Sequence, residues 1–119
     1  MSTPTVSLHP YFQVHAGKLE AAKALLPAFV EKTSSEPKCR YYEFTINGDI
    51  VFCREAYDDA EGTLAHLENV GALLGEMLKM ADLIRLEVHG PAAELDKLKV
   101  PLASLQPAWF AYETGLPRG

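Results

Sequence analysis

What the chain lacks narrows its class. It holds 2 cysteines and 1 tryptophan, and its 11 Lys and Arg face 16 Asp and Glu, for a net charge of −5. Basic residues form no run, so a non-specific grip on nucleic acid or on an anionic lipid surface is not expected. No apolar stretch approaches the roughly 20 residues that cross a bilayer. Met1 to Ser7 has neither a positive region nor an apolar core, so no secretory signal is expected and the cytoplasm is the expected compartment. A Gly-rich phosphate loop, a G-x-G-x-x-G turn and a nucleophile elbow are all missing, which removes the usual nucleotide, flavin and hydrolase signatures. The histidines (His9, His15, His66 and His89) fall at no metal-ligand spacing, and the cysteines form no C-x-x-C pair. No metal and no cofactor are therefore expected.

What is present suits one small globular domain spanning residues 1–119, with an ordered core over about 6–115. With 48% apolar and 23% charged residues, disordered and fibrous classes are excluded. A chain of this length buries roughly 65% of its unfolded surface. Leu8 to His15 alternates Phe12 and Val14 against Tyr11, Gln13 and His15, the period of a strand. Lys18 to Ser35 spaces Ala22, Leu25, Leu26, Phe29 and Thr33 as a helix, with Pro27 predicting a kink or restart because it lacks an N–H. Lys38 to Ile46 and Asp49 to Tyr57 flank Asn47-Gly48, a dipeptide suited to a tight hairpin. That turn would set Phe44 opposite Val51, Tyr42 opposite Cys53, Arg40 opposite Glu55 and Cys39 opposite Ala56. Cys39 and Cys53 are then too far apart for a disulfide and are expected reduced.

Asp58 to Glu61 predicts a capped helix start, continuing through His66 and Asn69, bending at Gly71 and resuming over Leu73 to Met80. Leu83 to His89 predicts a fourth strand, Pro91 to Lys99 a short helix, and Trp109 to Thr114 a last short strand. The order β-α-β-β-α-β defines a ferredoxin-like split β-α-β fold of the α+β class, an antiparallel sheet with its helices on one face. Phe12, Val14, Tyr42, Phe44, Val51, Cys53, Ile84, Leu86 and Val88 are predicted under the helices. The other face mixes Tyr11, Tyr41 and Phe52 with Glu43, Arg54, Arg85 and Glu87, a composition suited to a partner surface. Two such sheets face to face would form a closed, barrel-like homodimer.

From Tyr11 to Gly115 the sequence resembles the antibiotic biosynthesis monooxygenase family, whose fold is the dimeric α+β barrel. The opening strand, first helix and Glu-Pro-x-Cys-x-Tyr-Tyr turn are carried by YFQVHAGKLEAAKALLPAFVEKTSSEPKCRYYEF. The next strand, its acidic cap and an Ala-His pair on the second helix are carried by VFCREAYDDAEGTLAHLENV. The resemblance implies cofactor-independent oxygenation by O₂ of a small aromatic substrate: a phenol, a hydroquinone or a polyketide-like anthrone.

His66 is the candidate catalytic base, because a neutral imidazole in an apolar pocket can take a proton from a phenol. Its helix face also carries Asn69, Val70 and Leu73. Candidate substrate-binding residues are Tyr42 and Trp109, as walls of a flat aromatic pocket, with Asn69 as a donor to a carbonyl and Leu73 as apolar lining. The competing readings are core packing for the two aromatics and a local cap for Asn69. Two other functions fit the same fold: a non-catalytic small-molecule-binding or stress-related homodimer, and a haem-binding or haem-degrading relative. Arg40 with Glu55, and Arg54 or Arg85 with Glu43 or Glu87, are expected as structural ion pairs.

Overall fold

The computed structural model describes residues 4–116, so the first three residues of the N-terminal segment and the two extremes of the predicted domain lie outside it. Alternation decides the strands. Strand β1 (Val6–Val14) buries every second residue from Val6 to Val14. It lies at the centre of a five-stranded sheet ordered β2-β3-β1-β4-β5, where β2 is Cys39–Asn47, β3 Ile50–Tyr57, β4 Ala81–Gly90 and β5 Ala108–Ala111. The first four strands pair antiparallel, and β5 adds to β4 in parallel through Val88 opposite Trp109. Pro10 lies within β1, and the register with β3 is the same on both sides of it, Leu8 opposite Glu55 and Tyr11 opposite Phe52.

The helices are α1 (Leu19–Thr33), α2 (Ala60–Asn69), α3 (Gly71–Met77) and α4 (Ala92–Leu98), followed by a 3₁₀ turn at Ala103–Leu105. Two apolar clusters join them to one face of the sheet. One gathers Val6, Leu8, Tyr57, Leu86 and Val88 with Leu95, Leu98 and Leu102. The other gathers Phe12, Val14 and Val51 with Ala22, Phe29, Val70 and Met77. Full burial of such side chains contributes about 1.5–3 kcal/mol each. Among the described residues no helix is long and apolar enough to cross a membrane.

Four expectations need correction. The hairpin turns on Gly48-Asp49, not Asn47-Gly48, with Gly48 at φ 60 and Asn47 opposite Ile50. The pairing is therefore offset by two residues: Phe44 faces Cys53, Tyr42 faces Glu55, and a bulge between Cys39 and Tyr41 sets Cys39 opposite Tyr57. A two-residue offset preserves faces, so the predicted inner row of β2 and β3 still points under the helices, and both cysteines remain free. Arg40 does not meet Glu55; its Nε donates to Asp58 at 2.9 Å. Ile84 is 54% exposed, because the register of β4 against β1 slips between Arg85 and Leu83 and turns it outward. Helix α1 runs through Pro27 without a restart, since Ala22, Phe29 and Thr33 are buried on both sides of it. The Arg54–Glu43 and Arg85–Glu87 pairs are present, at 3.7 and 2.6 Å.

Candidate functional site

Helix α2 begins where the Asp59 carboxylate accepts from the Gly62 N–H at 2.8 Å. Starting there, two turns carry His66 beneath the sheet, where it is 2% exposed. A buried imidazole must have its nitrogens satisfied, and both have carboxylate partners. Nδ1 lies 2.9 and 3.1 Å from the two oxygens of Glu36. Nε2 lies 3.4 Å from Oε1 of Glu55. Facing a carboxylate this closely, Nδ1 is assigned the proton.

Each carboxylate is itself held. Glu36 sits in the turn after α1, where its N–H donates to the Thr33 carbonyl at 3.0 Å. Asn69, at the end of α2, donates through Nδ2 to Glu36 Oε2 at 2.8 Å and to the Lys32 carbonyl at 2.9 Å. Glu55 continues the inner row of β3 after Val51 and Cys53 and is 4% exposed. The Tyr57 hydroxyl donates to its Oε1 at 2.6 Å. The rings of Tyr42 and Tyr57 flank the imidazole at centroid distances of 5.0 and 4.9 Å.

Burial controls the electrostatics here. It pushes the Glu55 carboxyl up to about 7, against the hydrogen bond from Tyr57. It lowers the His66 imidazole, while Glu36 pulls the other way. It also raises the Tyr42, Tyr57 and Cys53 side chains above their ordinary values, with the Glu55 charge adding to each, so all three are neutral donors at physiological pH.

This group closes the polar end of an otherwise apolar pocket. A cavity of about 50 Å³ is lined by Phe12, Phe29 and Phe44, by Leu67, Leu74 and Met77, and by the polar side chains of Tyr42, Cys53, Glu55 and His66. An apolar lining with one convergent polar cluster is the composition small-molecule sites have. His66 and Tyr42, both named from the sequence, line it together. Asn69 and Leu73 lie beside it: Asn69 is engaged with Glu36 and the end of α1, and Leu73 packs into the second apolar cluster. Trp109, on β5, packs against the first cluster, away from the pocket. Sequence reasoning missed Glu36 and Glu55 as site residues. Strict alternation along Val51, Cys53 and Glu55 was the available signal for the second; nothing local marks the first. Among the described residues no group of three or more His, Cys, Asp or Glu has the arrangement of a metal site.

Fold and site together define a ferredoxin-like α+β protein with an apolar pocket that ends on a buried carboxylate–imidazole–carboxylate group. Over 99% of its length, and 92% of the other chain, it is similar to MupZ from Pseudomonas fluorescens, with 46% identity and a TM-score of 0.95. Two further structures share the fold. A candidate antibiotic biosynthesis monooxygenase from Chloroflexus aurantiacus J-10-fl is 22% identical, covers 74% of this chain and 93% of its own, and gives a TM-score of 0.61. Another from Nitrosomonas europaea is 16% identical, with 77% and 94% covered and a TM-score of 0.68. No protein-family model and no curated protein matches the chain. At 46% identity over 99% of its length the chain belongs to one family with MupZ, and its fold is that of the candidate antibiotic biosynthesis monooxygenases.

Proposed function

We propose that the protein is a cofactor-independent monooxygenase acting with O₂ on a flat, weakly acidic aromatic substrate such as a hydroquinone. The observation that carries this reading is the acid–base group centred on His66 at the closed end of an apolar pocket. The group takes a proton from a hydroxyl, and the anion gives one electron to O₂. The resulting radical pair joins as a C–O bond, and the peroxide, once protonated, loses water. One oxygen atom stays as a new carbonyl and the other leaves as water, so no outside reductant is needed. The protein supplies the base, excludes water and offers neutral Tyr42 as a donor to the substrate oxygen. Oxygen uptake with a panel of reduced quinones and anthrones tests this. The expected result is turnover that falls on His66→Ala; uptake at the uncatalysed rate across the panel sinks it.

A second reading is favoured by Glu55. A carboxyl that titrates near 7 beside an imidazole is an acid and a base in one cluster, which also suits proton transfer without oxygen, such as isomerisation or elimination. Exchange of deuterium from solvent into an anthrone under argon, lost on Glu55→Gln, would support it. Absence of exchange, with oxygen uptake intact, would remove it.

The proposal includes a homodimer through the open face of the sheet. Tyr11 and Phe52 meet there as a tilted pair at 4.7 Å and His89 stacks on Phe110 at 4.5 Å, and the same sheet carries the Arg54–Glu43 and Arg85–Glu87 pairs. Aromatics with paired charges suit a surface that meets its own copy about a two-fold axis. Sedimentation should give twice the chain mass, and Phe52→Arg should shift it to one; a wild-type monomer at micromolar concentration would remove the dimer.

A further inference from the structure

Each nitrogen of the His66 imidazole lies beside a carboxylate, Nδ1 in a hydrogen bond and Nε2 at 3.4 Å. Nδ1 is held by Glu36 and Nε2 faces Glu55, and the side chain is 2% exposed. To take a proton from a ligand directly, it would first have to give up one of these contacts. Glu36 lies behind it, bound by Nδ1 and Asn69, and is not part of the pocket wall. Glu55 is the acidic group that lines the pocket, beside the imidazole and 3.4 Å from its Nε2.

We infer that Glu55 is the catalytic residue that exchanges the proton with the substrate, and that His66 is a positioning and relay residue behind it, anchored by Glu36. The inference rests on the pocket being the catalytic site, as proposed above, but not on oxygen being the oxidant. The substrate it implies carries a weakly acidic hydroxyl at the end of a flat, apolar body, with the hydroxyl placed at the deep end and the body between Phe12, Phe29 and Phe44. In the step itself the substrate O–H bond breaks and its electron pair stays on the substrate oxygen. The proton forms a carboxyl O–H on Glu55, so the negative charge passes from protein to substrate. Nε2 of His66 is placed to receive that proton next, and Nδ1–H keeps the ring fixed on Glu36.

Burial makes this carboxylate a suitable acceptor. A phenol titrates near 10, and raising the acceptor from the ordinary 4.5 to about 7 makes the transfer about 300-fold more favourable. The groups that face Glu55 are Cys53 and Tyr57 along β3, Tyr42 and Cys39 from β2, His66 from α2 and Glu36 from the turn after α1. Among the described residues no Lys or Arg is paired with it, so none of them opposes the rise.

Carbon-13 NMR of the glutamate carboxyls and nitrogen-15 NMR of the imidazoles, with para-nitrophenol as the probe ligand, test the assignment in the whole protein. The Glu55 carboxyl signal, identified by its loss in Glu55→Gln, should titrate near 7 and shift when the probe is added, with a smaller response at His66 Nε2. A probe that moves Nε2 and leaves the Glu55 carboxyl in place overturns the inference. With an oxidisable hydroquinone, Glu55→Gln should lower kcat by at least about 100-fold, the scale of a lost general base. Glu55→Asp should recover part of the rate. His66→Gln should keep a pH limb with a displaced midpoint. Full activity in Glu55→Gln overturns the inference as well. No oxygen uptake in any variant, with the carboxyl still responding to the probe, removes only the oxygenase reading.

Discussion

Glu55 and Glu87 are both strand glutamates with a histidine in reach, yet they titrate in opposite directions. Glu55 points under the helices, among neutral donors, His66 and the Glu36 carboxylate, and is pushed up to about 7 by burial. Glu87 points to the open face, where Arg85 at 2.6 Å and His89 at 3.0 Å hold its carboxyl below the ordinary range. Residue type and strand position are the same; the face decides. The face under the helices makes a reactive carboxyl, and the open face makes a quiet one. Chemistry in this fold is therefore placed by the parity of a strand residue as much as by its identity.

The largest break in this contrast comes from His66→Ala. It leaves Glu36 and Glu55 buried with no ring between them, and leaving a buried acceptor without its donor costs about 1–3 kcal/mol, more for a charged group. Urea unfolding at neutral pH should show a loss of that size. A loss below about 1 kcal/mol, the scale of an exposed pair, would mean the group is wetter than its burial indicates.

Next comes Glu55→Gln, read against pH. The folded-state value near 7 lies above the ordinary 4.5, so the native state holds this proton more tightly than the unfolded chain does. The stability it contributes is full below 4.5 and is lost as pH rises through about 7, by up to about 3 kcal/mol. His66 runs the other way: its lowered value costs stability as pH falls below 6.5. In Glu55→Gln the loss on the alkaline side should vanish while the acid-side loss remains. An unchanged pH profile would contradict the burial account.

The smallest effect is expected from Glu87→Gln. Its partners are partly exposed, and exposed ion pairs contribute about 0.2–1 kcal/mol. The midpoint of thermal unfolding should move little. A change as large as that of Glu55→Gln would erase the distinction between the two faces.

How far the chain could be read before folding follows the same divide. Strand parity, helix positions and the layer order are local patterns, and they stand in the structure. A two-residue error in the hairpin left them intact, because an even offset returns each side chain to its face. That same error hid Glu55. It placed Arg40 opposite, and a glutamate facing an arginine reads as an ordinary ion pair. The true register puts Tyr42 there, and Arg40 reaches Asp58 instead. Glu36 was hidden for a different reason. It meets His66 across 30 residues, and a glutamate before Pro37 reads only as the end of a helix. Ile84 faces out because of a bulge, which alternation cannot reveal. His66 and Tyr42 were visible because they belong to regular elements whose inward faces periodicity defines.

The parallel strand β5 has a consequence for how copies of the chain can join. By pairing with β4 from Glu87 to Gly90 it covers backbone groups that would otherwise be free to recruit a foreign strand. Among the described residues that leaves β2 as a long unpaired edge, and there the bulge after Cys39 breaks the straight run a newcomer needs while Arg40 and Glu43 charge it. Lateral growth into ribbons or fibrils meets a four-residue strand at one side and a bulged, charged one at the other.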